Sequence, residues 1–267
     1  MEQAEGSDSK SPSEVALSSE RHSDLVSKLP RRKFLSQDLV LYKNYWFYPR
    51  YLESTMLLQD SFRARSDDTI LATNPKDGNH PLLTHHPQQL VPFIEFPLNT
   101  NITSVEALPS PRLLATHVPL SLLPESICSK GCRIVYICRD PKDALFGHVV
   151  DLDEAFNMFC EGSWLYGPFW NHCLEYWKES IAQPNMVLFL KYEEVMSDPV
   201  KSIKRLATFL GSHSTVKKRI VGFPRRWRSF AASRCLVDCR LTKEENLVEI
   251  KMGTWSMRKQ HTLGVER

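Results

Sequence analysis

Cys132-Arg-Ile-Val-Tyr-Ile-Cys138, followed at once by Arg139-Asp-Pro-Lys-Asp143, decides how this chain folds. The run from Ile134 to Cys138 is short, apolar and rich in β-preferring residues, which predicts a buried strand. Pro141 has no N–H to give to a sheet, but its fixed φ suits the first turn of a helix, with Asp140 before it as N-cap. The unit reads strand, arginine, helix start. A guanidinium beside the N–H groups of a helix start is a site for a phosphate or sulfate.

The same grammar recurs. Thr69-Ile-Leu-Ala-Thr73 leads into Asn74-Pro-Lys-Asp-Gly78, Arg112-Leu-Leu-Ala115 into Thr116-His-Val-Pro119, and Met186-Val-Leu-Phe-Leu190 into Lys191-Tyr-Glu-Glu194. If these strands lie parallel in one sheet, Lys76, His117, Arg139 and Tyr192 gather at its C-terminal edge, where open α/β sheets bind ligands. The cluster is basic, so the expected ligand is an anion.

Bulk properties narrow the field. At 267 residues and 42% apolar content the chain can fill the core of one large α/β domain or two small ones. A net charge of +3 does not support nucleic-acid binding through bulk electrostatics. Seven cysteines, an odd number without a secretory leader pattern, predict free and mostly buried thiols in a reducing compartment. Cys128/Cys132 and Cys235/Cys239 share a spacing but lack the Cys-x-x-Cys form and nearby His partners, so no metal site is expected. No apolar stretch is long enough to span a membrane.

Along the chain, residues 1–30 read as a solvated tail with a weak helix near Leu25. Between Leu41 and Tyr51 six aromatic residues crowd together, either as packing or as a wall for a ring-bearing ligand; Tyr45, Trp46 and Phe93 are the pocket candidates. Helices are expected over Pro49–Phe62, Pro87–Phe93, Pro168–Ser180 (with Trp170, Leu174 and Trp177 on one face) and Pro199–Leu210 (stripe Val200, Ile203, Ala207, Leu210, with Gly211 at the C-cap). The domain is expected over 31–215, with 216–267 an atypical segment in which Lys217–Arg240 shows poor periodicity.

Of the four strand-end residues, only His117 takes a proton near neutral pH, although a lone histidine is more often structural. Lys76 stands between Pro75 and Gly78 in the form of an anion cradle, but the glycines and the Ser/Thr of a Walker loop are missing, which argues against an NTPase. Arg139 as a surface ion-pair residue and Tyr192 as a packing residue are the plainer alternatives.

These motifs together resemble the cytosolic sulfotransferases, most closely the plant type. The matching text is Tyr48-Pro-Arg-Tyr-Leu-Glu53, Phe62-Arg-Ala-Arg-Ser-Asp-Asp68, Pro75-Lys-Asp-Gly78, Ala115-Thr-His-Val-Pro119 and Ser121-Leu-Leu-Pro-Glu-Ser126. It continues with Tyr136-Ile-Cys-Arg-Asp-Pro-Lys-Asp143, Tyr166-Gly-Pro-Phe-Trp170 and Leu190-Lys-Tyr-Glu-Glu194. The resemblance implies a three-layer α/β fold with a central parallel sheet, P-loop-like in form. It implies transfer of a sulfonate from 3′-phosphoadenosine 5′-phosphosulfate (PAPS) to a hydroxyl of a small phenolic or steroid-like acceptor, leaving PAP. By the same resemblance Lys76 contacts the phosphosulfate, Gly78 lets the backbone approach it, with Asp77 in the same loop, and His117 takes the acceptor's proton. Arg139 binds the 3′-phosphate, Gly147 stands where the family has a phosphate-binding Ser, Tyr192 lies near the adenine, and Arg258 and Lys259 echo the family's terminal motif. The expected setting is a cytoplasmic monomer or weak dimer whose partner is the small acceptor, with no nucleic acid, membrane or metal.

The chain also departs from the family pattern. After Gly78 the family's Thr-Thr-Trp and long helix are replaced by Asn79-His-Pro81, and Asp77 sets a carboxylate where an anion would sit. Lys217 onward reads as partly out of frame with the family. An impaired member with weak or no PAPS binding is therefore the alternative reading.

Overall fold

Four short runs of apolar residues form one sheet. The computed structural model describes residues 12–34, 37–74, 91–95, 105–141, 152–211, 250–252 and 255–257. Within it β4 (Thr69–Thr73), β5 (Leu113–Thr116), β6 (Arg133–Cys138) and β7 (Val187–Lys191) pair in the order β5-β4-β6-β7, every pairing parallel. Ile134, Val135 and Tyr136 are all buried, as expected of a strand covered on both faces. The chain runs from β4 outward to β5, then crosses back over β4 to begin β6. That reversal opens a crevice between the carboxyl ends of β4 and β6, the usual place for a ligand in such sheets.

A second sheet is antiparallel and built from the aromatic stretch: β1 (Arg31–Phe34), β2 (Gln37–Tyr42) and β3 (Tyr45–Phe47). Trp46 ties it to the rest, donating its N–H to Gly167 O at 3.0 Å and accepting from Tyr166 N at 2.7 Å. Helices flank the sheets: α1 (Pro12–Ser27), α2 (Pro49–Ser61), α3 (Glu125–Ser129), α4 (Leu152–Cys160), α5 (Phe169–Ala182), α6 (Tyr192–Ser197) and α7 (Pro199–Phe209). In α7, Pro199 opens the helix, Asp198 accepts from Lys201 N at 3.0 Å, and Gly211 (φ +73°) ends it in the left-handed region that suits glycine.

Several expectations change. Within the supposed tail, Pro12–Ser27 is a helix whose Ser18 and Val26 are buried; Ser18 donates to Asp60 on α2 at 2.8 Å. Its inward face is half polar (Ser18, His22, Val26), which an apolar pattern search passes over. On α5 the buried residues are Phe169, His172 and Tyr176, not Trp170, Leu174 and Trp177, because polar-tipped rings there find hydrogen bonds inside. In α7 only Ser202 is fully buried and the apolar stripe is half-covered. Phe93, expected at a helix end, instead bridges Ala115 in parallel, extending the sheet's edge beside β5. In the 216–267 segment, β8 (Ile250–Met252) pairs antiparallel with β9 (Trp255–Met257). The expected helix over 87–90 and the stretch 217–240 lie outside the described residues.

The opposite end of the sheet is held by a buried ion pair. The Arg112 Nε donates to Asp68 Oδ1 at 2.8 Å and its Nη2 to Asp68 Oδ2 at 2.5 Å, with both side chains fully buried. Arg112 also reaches the Arg63 carbonyl at 2.9 Å. Its Nη1 reaches the Val105 carbonyl at 3.4 Å, so backbone oxygens take donors that the carboxylate leaves over, as a buried guanidinium requires.

Candidate active site

Register places the site. Ala72 pairs with Thr116, so His117 comes level with Thr73 at the carboxyl end of β4. Cys138 pairs with Lys191, so Arg139 comes level with Tyr192. His117, Arg139 and Tyr192 therefore stand on one rim. The Arg139 guanidinium lies over the Tyr192 ring, 4.4 Å from its centroid, a stacked cation held at the end of β6. Lys76, Asp77, Gly78, Gly147, Arg258 and Lys259 lie outside the described residues.

One detail differs from the strand–arginine–helix reading. Asp140 N–H donates to Glu193 Oε1 at 2.9 Å, so a carboxylate already takes one of the N–H groups expected to face the anion.

His117 is held from several sides. Its Nδ1 lies 2.8 Å from the Thr73 carbonyl and 3.1 Å from the Thr73 hydroxyl. A carbonyl only accepts, so Nδ1 carries the hydrogen and the basic lone pair is on Nε2. The peptide N–H of His117 donates to Glu95 Oε1 at 2.6 Å, and its carbonyl accepts from His172 Nε2 at 2.9 Å. That fixes His172 as the Nε2–H tautomer, whose Nδ1 then accepts from Tyr136 OH at 2.9 Å. Tyr136 stacks on Tyr176 with centroids 4.2 Å apart, and Tyr176 donates to the Val118 carbonyl at 2.7 Å. Two successive carbonyls beside the imidazole are thus gripped by α5.

Burial sets the charge states. It pushes His117 down to about 4, against the opposing pull of the Thr73 carbonyl, so the ring is neutral at pH 7. Burial likewise lowers His172 to about 4. It raises Glu95 to about 7, although hydrogen bonds from the backbone N–H groups of His117 and Glu95 and from Thr116 draw it the other way.

Aromatic rings surround the imidazole. Phe93 lies 4.6 Å and Tyr166 5.9 Å from it between centroids, and Tyr51 stacks on Tyr166 at 6.5 Å. Tyr166 sits at φ +55°, a left-handed conformation that strains a bulky residue. The next residue has to be glycine: a Cβ on Gly167 would fall 2.8 Å from the Trp164 carbonyl oxygen. Of the pocket candidates Phe93 reaches the site. Tyr45 is instead buried in packing, its hydroxyl donating to Glu175 at 2.6 Å.

The sequence reading missed Thr73, Glu95, Tyr166 and His172. Glu95 carried a signal, being a single carboxylate in the apolar run from Val91 to Phe96. A surface cleft of about 820 Å³, lined by Arg133, Lys201, Lys204 and Arg205 among others, contains none of the rim residues. Among the described residues no helix is long and apolar enough to cross a membrane.

Known proteins share this chain's sequence and its open parallel α/β sheet. A sulfotransferase-domain family model matches residues 55–227. Arabidopsis thaliana cytosolic sulfotransferase 13 is 38% identical over 225 residues, covering 70% of this chain and 68% of that protein. Cytosolic sulfotransferase 11 of the same plant is 34% identical over 274 residues, covering 88% and 76%. A crystal structure of an Arabidopsis thaliana steroid-sulphotransferase candidate superposes with a TM-score of 0.63 at 33% identity, over 78% of this chain and 84% of that one. A mouse sulfotransferase complexed with PAP gives a TM-score of 0.53 at 26% identity, over 73% and 72%. The chain belongs to the plant cytosolic sulfotransferase family.

Proposed function

We propose that this protein transfers a sulfonate from PAPS to the hydroxyl of a small phenolic or steroid-like acceptor. The observation that carries this reading is the fixed tautomer of His117: Thr73 takes the Nδ1–H, which leaves the lone pair of Nε2 as the base. In the step, Nε2 takes the acceptor's hydroxyl proton as the acceptor oxygen bonds to sulfur. The bond from sulfur to the 5′-phosphate oxygen breaks, and PAP departs with that electron pair. Arg139, stacked on Tyr192, holds the 3′-phosphate, and Tyr192 lies near the adenine. Lys76 and Gly78 serve the phosphosulfate, with Asp77 between them in sequence; Gly147, Arg258 and Lys259 complete the donor set. Alignment and charge stabilisation carry such a transfer, and no covalent intermediate is needed. The rings of Phe93, Tyr51 and Tyr166 suit a flat acceptor.

Asp77 favours a second reading, a family member that binds PAPS weakly or not at all, because a carboxylate in the loop repels the donor. Calorimetric titration of the full chain with PAP separates the two. Micromolar affinity, lost by at least about tenfold in Arg139→Ala and kept within about twofold in Tyr192→Phe, supports the enzyme. Absent binding, or binding indifferent to Arg139→Ala, supports the second reading. His117→Ala should leave PAP affinity intact while turnover falls about 10²–10⁴-fold.

A further inference from the structure

Glu95 is an expensive way to hold the His117 N–H and the few donors beside it. Its side chain is fully buried, Oε1 accepts from His117 N at 2.6 Å, and Oε2 is one of the few buried polar atoms among the described residues with no hydrogen-bond partner. A backbone carbonyl or an amide would satisfy that N–H without placing a carboxylate in a dry interior. The extra cost falls beside the one residue that gains a positive charge during the transfer.

We propose that Glu95 is a positioning residue for His117: it pins the His117 peptide through Oε1 and, as a buried anion, stabilises the imidazolium that forms when Nε2 takes the acceptor's proton. This rests on the base role given to His117 above. The other contacts fit. Thr73 fixes the ring and His172 holds the opposite end of the same peptide, so the imidazole stays at a constant distance from the carboxylate. The Pro92–Glu95 strip that carries Glu95 is laid against β5 by Ala115 N→Pro92 O at 2.9 Å and Ile94 N→Ala115 O at 3.0 Å.

The titratable groups around Glu95 leave it alone in the neutral range. Tyr166 and Tyr176 have their phenols raised, by burial first and then by neighbours that include the Glu95 charge, so both stay neutral. His172 and His117, lowered to about 4, are uncharged there too. An ionisation near pH 7 at this site therefore belongs to Glu95.

The test reads that ionisation with and without turnover. In two-dimensional NMR of the full chain, the His117 amide proton should shift with a single midpoint near pH 7. In Glu95→Gln, which keeps the hydrogen bond and removes the charge, the shift should vanish with the fold intact. If the enzyme turns over, kcat should rise through the same midpoint in the wild type. In Glu95→Gln that rise should be gone and kcat at pH 8 about tenfold lower, with acceptor KM within about twofold. The His117 amide titrating in the wild type without a midpoint between pH 6 and 8, or titrating identically in Glu95→Gln, overturns the proposal. So does a kcat at pH 8 that Glu95→Gln leaves unchanged. A failed PAP titration alone would remove the sulfotransferase reading, whereas a flat amide titration with normal PAP binding would remove only the role of Glu95.

Discussion

The imidazole of His172 donates through Nε2 to the carbonyl oxygen of His117, 2.9 Å away, joining two buried histidines through one peptide group. Helix α5 therefore reaches the rim of the sheet through a backbone carbonyl. In His172→Phe the His117 carbonyl and the Tyr136 hydroxyl would both lose their partners. Two unpaired buried groups predict a loss of about 3 kcal/mol at pH 7, read as a lower urea midpoint. His172→Gln, which retains a donor, should recover at least half; equal loss in the two variants would contradict the account.

The same histidine predicts a pH dependence. A folded value of about 4 against an ordinary 6.5 means that its contribution is complete above pH 6.5 and disappears as the pH falls towards 4. The gap corresponds to about 3 kcal/mol. The stability difference between wild type and His172→Phe should therefore shrink by about that amount from pH 7 to pH 4. Glu95 acts in the opposite sense, since its raised value adds stability below pH 4.5 that is lost as the pH rises through 7. In Glu95→Gln the fall in stability between pH 7 and 4 should accordingly be steeper than in the wild type.

The Arg112–Asp68 pair governs the far end of the sheet. Asp68→Asn leaves a buried guanidinium without its counter-charge and should cost about 3–5 kcal/mol by denaturant melting. The double change Arg112→Met with Asp68→Leu should cost less than either single change; a simple sum of the two would show that the charges are not coupled.

Cys138 and Cys173 bring their sulfurs within 3.3 Å behind Arg139. The hydrogen bond between the two thiols, together with burial, raises the Cys138 thiol far above its ordinary value and so suppresses its thiolate. Alkylation by iodoacetamide at pH 8, followed by peptide mass spectrometry, should modify exposed Cys128 well before Cys138. Cys173→Ala removes the largest cause and should speed labelling of Cys138 several-fold; no change would remove the thiol pairing.

Much of the architecture was legible because parallel strands announce themselves. Thr69–Thr73 and the run ending at Cys138 are unbroken apolar segments stopped by Asn74-Pro75 and Asp140-Pro141, and the sheet placed His117, Arg139 and Tyr192 on the rim expected of them. What escaped were contacts whose partners are remote and polar. His172 is one turn from Tyr176 on a buried face, a pattern that apolar periodicity scores as exterior. Glu95 finds its partner 22 residues away, a pairing created by the bridge between Phe93 and Ala115 and by no local rule. Arg139 over Tyr192 depends on the β6–β7 register, which the sequence leaves open.

The backbone link between Trp46 and the Tyr166–Gly167 corner divides the labour of the molecule. The four parallel strands carry His117, Arg139 and Tyr192 at their carboxyl ends, while Tyr166, one of the rings beside the imidazole, is anchored to β3 of the antiparallel sheet. Changes confined to residues 31–51 can therefore shift the Tyr166 ring without altering the pairing of the four parallel strands.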